Sequence, residues 1–328
     1  MTGSTRGAAI GWVAYDGSFC FGIFRNILRT DLQPLNRPLH LPARPGVFRG
    51  HFQQTVHRDA YCQAVERAQE YIRSGDIYQV CLAHHFVAED PGCALAYYLA
   101  LRRESPAPYG AFLDLHGVQV ASASPELFLR MNGRSIVTRP IKGTRPRHAD
   151  SHNDAAALHE LAMSPKEAAE LVMITDLERN DLGQICDFGT VEVTGLMEQE
   201  SFAQVHHLVS TIRGRLRPEI SHCAALKACF PGGSITGAPK IRAMEIIEEL
   251  EINPRGIYTG AIGYFGFDGT SAFSIAIRTA VFANGLASFG IGAGIVADSL
   301  PSQEWEETLH KASGLLAAAH SARTQNFH

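Results

Sequence analysis

Tight-turn dipeptides between apolar segments constrain this chain more than any other sequence feature. An Asn or Asp followed by Gly supplies the positive φ angles that a two-residue β-hairpin turn requires. The turns of this kind, with one similar His-Gly pair, are His116-Gly117, Asn132-Gly133, Asp268-Gly269 and Asn284-Gly285. Their flanking segments predict antiparallel strand pairs, of which the clearest are 109–115 with 118–123 and 126–131 with 135–139.

Helical patterns alternate with these hairpins. Apolar residues recur at spacings of four and three over 58–73 and predict a helix there. Ser164-Pro165-Lys166-Glu167 is a capping box that predicts a helix to about residue 178. The remaining predicted helices are 92–103, 221–229, 239–250 and a last one after Pro301. The remaining predicted strands are 77–87, 189–199, 204–217, 259–267, 271–282 and 286–291.

Hairpin-linked strands with interspersed helices predict an α+β fold, in which helices cover layered antiparallel sheets. No linker interrupts the pattern, so we expect a single large domain over 56–320. Prolines at 34, 38, 43 and 45 indicate a short irregular N-terminal segment over 1–55. Residues 321–328 are expected to form a C-terminal tail.

Charge and cysteine usage exclude several classes of protein. The chain has 29 basic and 33 acidic residues and a net charge of −4, which argues against general nucleic-acid binding. We find no run of 18 apolar residues and no signal peptide, so no membrane span is expected. Seven cysteines without a Cys-x-x-Cys pair fit reduced thiols in a cytoplasmic protein and do not indicate a zinc or iron–sulfur site.

Lys142 stands in a basic, proline-bounded run, Arg139-Pro140-Ile141-Lys142-Gly143-Thr144-Arg145-Pro146-Arg147. Crowded cations favour the neutral amine, and a neutral lysine is a nucleophile. We therefore expect Arg139 and Arg145 to lower the pKa of Lys142. A basic surface turn is the alternative interpretation, because lysines are mostly exposed.

Two pairs of glutamates stand at helical spacing. Glu167 and Glu170 share one face of a predicted helix, and Glu304 and Glu307 repeat the arrangement on the last helix. Lys311 follows four residues after Glu307, on the same face. Carboxylates without histidine or cysteine at similar spacing suit a hard cation such as Mg²⁺. Two solvated helix faces are the alternative interpretation.

Glycine-rich segments and isolated polar residues mark candidate ligand contacts. The segments 230–240 and 290–294 are predicted to be loops whose backbone N–H groups could hold an anion. Arg278 stands in a predicted apolar strand, where a buried guanidinium needs a carboxylate from the protein or from a ligand. His207, on another apolar strand, has the pattern of a core histidine.

Taken together, these segments resemble the chorismate-utilising enzymes. That family includes anthranilate synthase component I, aminodeoxychorismate synthase component I, isochorismate synthases and salicylate synthases. The resemblance extends from residue 58 to about 318, with the motifs in family order. These motifs are 74–80 (SGDIYQV), 124–126 (SPE), 140–144 (PIKGT), 176–182 (DLERNDL), 205–210 (VHHLVS), 230–240, 255–261 (RGIYTGA) and 292–299 (GAGIVADS).

The resemblance implies two layered antiparallel sheets with helices outside and an active site in the cleft. It also implies a Mg²⁺ site, because Glu170 and Glu307 match the family's metal ligands. Glu167 and Glu304 match positions that support the ion through water. The ion would hold the ring carboxylate of chorismate.

The resemblance also assigns residues to substrate binding. Tyr258, Arg278 and the backbone at 292–294 match positions that bind the other carboxylate, and His207 and Ser234 match positions that line the ring near the departing hydroxyl. The full substrate-binding set carried over is Thr144, Ser234, Tyr258, Arg278, Gly292, Ala293, Gly294 and Lys311.

Two positions separate the members of the family. Anthranilate, isochorismate and salicylate synthases typically carry alanine at the position of Lys142, and lysine there resembles the aminodeoxychorismate synthases. Members that add water have a lysine base at the position of Gln79, and a glutamine cannot take a proton at neutral pH. The resemblance therefore implies amination of chorismate at C4 to 4-amino-4-deoxychorismate, the precursor of para-aminobenzoate and folate.

In the implied reaction Lys142 attacks C2 of the ring while the C4 hydroxyl leaves, with Glu126 as general acid. Ammonia then attacks C4 and expels Lys142. The chain has no Gly-x-Cys-x-Gly glutaminase elbow, so ammonia is expected from glutamine through a separate amidotransferase subunit. The predicted catalytic residues are Lys142, Glu126, Gln79 and His207.

Three alternatives stay open. An anthranilate synthase component I would use the same substrate and release pyruvate. An isochorismate or salicylate synthase would need no ammonia. A non-catalytic subunit would bind ligand without turnover, which the presence of Glu126, Lys142, Glu170 and Glu307 disfavours.

Overall fold

The computed structural model describes residues 3–29, 46–202 and 205–324. The strands of these residues are β1 (Gly3–Val13), β2 (Phe19–Arg29), β3 (Gln53–Gln54), β4 (Gln79–Glu89), β5 (Tyr109–Leu115), β6 (Val118–Ser124), β7 (Leu127–Asn132), β8 (Ser135–Arg139), β9 (Ile141–Pro146), β10 (Glu192–Ser201), β11 (Val205–Arg215), β12 (Gly237–Ala238), β13 (Ala261–Gly266), β14 (Thr270–Ile275), β15 (Thr279–Ala283) and β16 (Leu286–Ile295). The helices are α1 (Arg58–Arg73), α2 (Ala94–Glu104), α3 (Ser151–Ala162), α4 (Pro165–Gly183), α5 (His222–Cys229), α6 (Lys240–Leu250) and α7 (Pro301–Thr324), with a 3₁₀ turn at Gly233–Ile235.

Two antiparallel sheets form the frame of the fold. The larger has the order β10-β11-β8-β7-β14-β13-β1-β2, with β9 also paired to β11. The smaller has the order β12-β4-β16-β15-β6-β5, with β3 paired to β4. The pairs β5–β6, β7–β8, β13–β14 and β15–β16 are hairpins around the four predicted turns. The predicted α+β fold of layered antiparallel sheets is confirmed.

Helices cover the two sheets on different sides. The smaller sheet carries α1, α2, α6 and α7, and the larger carries α3, α4 and α5. The sheets meet through an apolar cluster in which Val120 of β6 packs with Ile262 of β13 and Ala276. Among the residues that the structure describes, no helix is long and apolar enough to cross a membrane.

The start of the chain differs from the prediction of an irregular segment. β1 and β2 pair with each other, and β1 joins the larger sheet through β13. Alternating apolar residues explain the strand, because Phe21 packs against Phe265 with ring centroids 5.6 Å apart. The prolines at 34, 38, 43 and 45 lie outside the described residues.

Three further predictions of local structure were wrong. Residues 271–282 are not one strand, because the chain leaves the larger sheet after β14 and enters the smaller one at β15. Residues 290–294 are not a loop but part of β16. The predicted tail begins too early, since α7 continues through Thr324. The helix α3 was not predicted, although Asp150 caps it by accepting a hydrogen bond from Asn153 N at 2.9 Å.

Candidate active site

Two links between the sheets position central residues of the site. Glu126 lies between β6 of the smaller sheet and β7 of the larger one, and Arg278 lies between β14 and β15. Ile275 N donates a hydrogen bond to the carbonyl oxygen of Glu126 at 3.2 Å, which holds the two links together. Arg278 has a φ of 49°, a conformation that side-chain-bearing residues rarely adopt and that fits a change of direction rather than a strand.

Lys142 of β9 is an internal cation. Its side chain is 14% exposed, and its Nζ lies 3.7 Å from Glu170 Oε2. Burial opposes the charged form, but the negative charges of a Cys81 thiolate, Glu170 and Glu126 outweigh burial and raise the pKa of Lys142. Because burial also raises the pKa of the Cys81 thiol, the carboxylates provide this effect at neutral pH.

The expectation that neighbouring arginines lower the pKa of Lys142 is wrong. Arg139 forms an ion pair with Glu200, and Arg145 Nε lies 3.0 Å from Glu160 Oε1. Each guanidinium is thus neutralised by its own carboxylate. Sequence proximity misled here because carboxylates from other elements, which the local sequence does not show, pair with these guanidinium groups.

Glu126 is a buried acid. Its side chain is enclosed, and burial raises its pKa to about 7. The Ser234 hydroxyl, the charge of Lys142 and the N–H of Ile141 offset part of that effect. A substantial fraction of Glu126 therefore carries a proton at neutral pH, as a general acid must.

Gln79 connects strand β4 to the glutamates. It is fully buried, and its Nε2 donates a hydrogen bond to Glu170 Oε2 at 3.3 Å. Its Oε1 has no hydrogen-bond partner in the described part of the chain. Gly294 closes over this amide, because a Cβ at Gly294 would lie 2.4 Å from Gln79 Nε2. The sheet backbone and the amide are thus in close contact.

His207 and Thr144 come from paired strands. His207 Nδ1 lies 3.1 Å from Thr144 Oγ1 and 3.2 Å from the carbonyl oxygen of Gly143. Burial lowers the pKa of His207 to about 4, so the ring is neutral. Since a carbonyl oxygen only accepts, Nδ1 carries the hydrogen and Nε2 is left as an acceptor.

The other predicted substrate-binding residues differ in how far the protein already pairs their polar groups. Arg278 has no acidic partner among the residues described, and burial lowers its pKa. Ser234 Oγ is buried close enough to the Glu126 carboxyl to lower its pKa, but it makes no hydrogen bond of normal geometry within the described residues. Lys311 Nζ donates to the carbonyl oxygen of Gly292 at 3.1 Å. The Tyr258 ring packs on β16 where a Cβ at Gly290 would lie 2.3 Å from it.

The four glutamates come from helices that face each other. Lys166 Nζ of α4 lies 3.4 Å from Glu304 Oε1 of α7, and Lys311 Nζ lies 2.6 Å from Glu307 Oε1. Burial raises the pKa of Glu170; Lys142 and Lys166 lower it, and the like charges of Glu167 and Glu307 raise it. The glutamates are therefore close enough to influence one another.

These carboxylates fit Mg²⁺ by the chemistry of their donors. All are hard oxygen ligands, and Glu304 Oε2 is buried without a hydrogen-bond partner in the described residues. Within 3–29, 46–202 and 205–324, no three acidic, histidine or cysteine side chains lie close enough together to hold a metal ion. Lysines pair with Glu170, Glu304 and Glu307, so a metal would have to replace these lysine contacts.

Sequence reasoning missed Glu178. This side chain is 5% exposed, and its Oε2 accepts a hydrogen bond from Thr138 Oγ1 at 2.6 Å. Burial raises the pKa of Glu178 to about 8. Its spacing of four from Ile174 and seven from Leu171 places it on the inward face of α4, which was the available signal.

Comparison with known proteins identifies the family to which this chain is similar. A family model described as chorismate binding enzyme matches residues 25–317. Anthranilate synthase component 1 of Thermus thermophilus is 47% identical over 285 residues, which are 86% of this chain and 62% of that protein. Aminodeoxychorismate synthase of Streptomyces pristinaespiralis is 47% identical over 273 residues, which are 83% of this chain and 38% of that protein. The chain thus spans less than two thirds of the length of either relative.

A solved structure shares the architecture. Anthranilate synthase component I from Streptococcus pneumoniae TIGR4 matches with a TM-score of 0.81 and 33% identity, over 95% of this chain and 81% of that chain. The fold is therefore that of anthranilate synthase component I. With the family model matched over most of its length, this chain belongs to the chorismate-binding enzyme family.

Proposed function

We propose that this chain aminates chorismate at C4 and forms 4-amino-4-deoxychorismate. The observation that carries this proposal is the position of Lys142, whose Nζ lies 3.7 Å from Glu170 and within the electrostatic reach of Glu126. An internal lysine beside a protonated acid suits covalent catalysis on the ring. Relatives named aminodeoxychorismate synthase support the proposal.

The proposed steps divide one displacement into two. Glu126 gives its proton to the C4 hydroxyl oxygen, which leaves as water, while the neutral Lys142 Nζ bonds to C2 and becomes a secondary ammonium that can later leave as the neutral amine. Ammonia then bonds to C4, and the electrons of the C2–N bond return to Lys142 as the ring double bonds shift back. The amine therefore ends at the carbon that lost the hydroxyl.

Binding of the two substrate carboxylates is proposed at opposite sides of the ring. Arg278, Tyr258 and the backbone at 292–294, with Lys311 nearby, would hold one of them, because the guanidinium of Arg278 has no acidic partner among the described residues. Glu170 and Glu307 would hold Mg²⁺, with Glu167 and Glu304 acting through water. The bound ion would anchor the ring carboxylate and offset the glutamate charge that keeps Lys142 protonated.

Gln79 and His207 are proposed to select the nucleophile and line the ring. Gln79 cannot act as a base toward water, and its unpartnered Oε1 is an acceptor suited to ammonia. Neutral His207, held by Thr144, would contact the ring near C4 with Ser234. We propose that ammonia comes from glutamine through a separate amidotransferase subunit and that the product serves para-aminobenzoate and folate synthesis.

Product analysis tests the proposal. The chain is incubated with chorismate, Mg²⁺ and ammonium, and the products are separated and identified by mass. We expect 4-amino-4-deoxychorismate. Anthranilate with pyruvate would replace the proposal by the second candidate, which the equally similar Thermus thermophilus relative favours. Isochorismate or salicylate formed without ammonium would contradict both.

A further inference from the structure

Glu178 is a buried carboxylic acid that the proposed steps do not use. It is the eighth residue after Glu170 on α4, it is 5% exposed, and the charge of Glu126 acts on it. A buried ionisable group is costly unless its neighbours satisfy it. Among the described residues, Glu178 Oε2 accepts a hydrogen bond from Thr138 Oγ1 at 2.6 Å. A buried acid at this position therefore requires a functional explanation.

The same two backbone segments hold both acids. On one side, Thr138 donates to Glu178, and the N–H of Ile141 acts on the Glu126 carboxyl. On the other side, a Cβ at Gly233 would lie 3.5 Å from Glu178 Cγ, and the next residue, Ser234, acts on Glu126. The charge of Glu126 is also felt by Glu178. The two carboxyl groups are therefore held by neighbouring residues of the same two segments and are close enough to interact electrostatically.

A charged pair continues from Glu178 toward the surface. Asp181 follows three residues later on α4, and its Oδ2 lies 2.7 Å from Lys240 Nζ of α6. The side chains of Asp181 and Lys240 are 10% and 15% exposed. Both groups act electrostatically on Glu178. The pair is more exposed than Glu178, so it offers a route from Glu178 toward solvent.

We infer that Glu178 is a positioning residue that returns a proton to Glu126 after each reaction, an inference that rests on the proposed role of Glu126. Once Glu126 has protonated the departing hydroxyl, it is a carboxylate sealed beneath the ligand. The Glu178 carboxylic acid gives its proton to this carboxylate. Glu178 is then reprotonated from water along Asp181 and Lys240, so the protons balance over one cycle.

The structure indicates how the acid pair changes with pH. Burial raises the pKa of Glu178 to about 8 and that of Glu126 to about 7, so one proton stays on the pair through neutral pH. The charged groups that face Glu178 are Glu126, Asp181 and Lys240, and the Thr138 hydroxyl favours its ionised form. Without Glu178, Glu126 titrates alone and loses its proton at a lower pH than the one at which the pair loses its last proton.

The test is the pH dependence of chorismate consumption by Glu178→Gln. We expect kcat to fall by about 10- to 100-fold, less than the roughly 10²- to 10⁴-fold of a direct general acid because Glu178 acts through Glu126, while KM for chorismate stays unchanged. The alkaline limb of kcat should move to lower pH. Asp176→Asn, an exposed position of the same helix, is the matched control and should keep the wild-type profile. A wild-type kcat and profile in Glu178→Gln, with only a lower Tm, would overturn the inference.

Thr138→Val provides a second test that leaves the acid in place. Loss of the hydroxyl removes a hydrogen bond that favours ionised Glu178, so the alkaline limb should move to higher pH. An unchanged limb, or a shift to lower pH, would contradict the relay even if Glu178→Gln does not fold. Chorismate loss is measured separately from product identity. A wild type that forms anthranilate would refute the proposed function, while the effect of Glu178 stays readable because the C4 hydroxyl departs in both reactions.

Discussion

Two groups of glutamates in one cleft differ in what surrounds them. At the mouth, Glu307 is partly exposed and lies 2.6 Å from Lys311, and the lysine charges outweigh burial and lower its pKa. Inside, burial raises the pKa of Glu126 to about 7 and that of Glu178 to about 8. The pKa of Glu170, the other proposed metal ligand, is raised by burial, which the charges of Lys142 and Lys166 offset only in part.

The comparison shows how one residue type can serve two purposes. Carboxylates paired with cations remain anionic and are suited to hold a metal or orient a cation. Carboxylates enclosed without a full counter-charge keep a proton and can donate it. Burial and neighbouring charge, rather than residue type, therefore determine which of these glutamates stay anionic and which keep a proton.

The largest effect should come from the proposed metal ligands. Glu307→Ala or Glu170→Ala removes a proposed metal ligand, and we expect Mg²⁺-dependent turnover to fall at least about 10³-fold, because a metal contributes several kcal/mol to such chemistry. Glu306→Ala, an exposed neighbour on α7, is the control. Calorimetric titration with Mg²⁺ separates lost binding from lost folding. Full activity of the wild type in excess EDTA would show that Glu170 and Glu307 do not act by binding a metal ion.

Lys142 connects the two groups and should give the next effect. We expect Lys142→Ala to slow formation of 4-amino-4-deoxychorismate on the order of 10²- to 10³-fold, leaving direct attack by ammonia as the residual path. Intact-mass spectrometry with chorismate and Mg²⁺ but no ammonium should show an adduct that maps to Lys142. Lys227→Ala, on the exposed side of α5, should behave as wild type. Wild-type turnover by Lys142→Ala would rule out an essential nucleophile.

Much of the fold was predictable because its signals are local. The four hairpins follow from their turn residues, and α4 begins where Ser164 accepts a hydrogen bond from Glu167 N. The break between β14 and β15 was not predictable in the same way. Both strands are apolar, and only the tertiary structure shows that Arg278 lies where the chain changes sheets.

The site illustrates the same limit. Helical spacing placed Glu167 beside Glu170 and Glu304 beside Glu307, but only packing shows that α4 and α7 face each other through Lys166. The neighbours of Lys142 were misjudged, because residues adjacent in sequence pair elsewhere and Glu170 comes from a distant helix. Charge state depends on such long-range contacts, so sequence could suggest the residues of the site but not their protonation.

Arg278 tests the role of an unpaired cation in substrate binding, and we expect a smaller effect there. Unlike Lys142, it has no acidic partner among the residues described. We expect Arg278→Gln to raise KM for chorismate by about 10- to 100-fold, since a hydrogen bond between charged groups contributes about 1.5–3 kcal/mol. Arg130→Gln, on an exposed position of β7, should leave KM unchanged. An unchanged KM in Arg278→Gln would place the second carboxylate elsewhere.

The smallest expected effect concerns stability, and it tests the inner group without substrate. The pKa of Glu126 is about 7 in the folded state and 4.5 as an ordinary carboxyl, so the folded protein binds the additional proton between these values. The free energy of unfolding must therefore fall as pH rises through this window.

Glu126→Gln has no such proton to lose. Between about pH 5 and pH 8, wild type should lose on the order of 2 kcal/mol more stability than the variant. Urea unfolding at both pH values, with Glu306→Gln as the exposed control, measures this difference. Equal losses in wild type and Glu126→Gln would mean that Glu126 is already ionised at neutral pH, like the glutamates at the mouth. Glu126 could then not donate a proton, because its burial would not have kept it protonated while Glu307 is ionised.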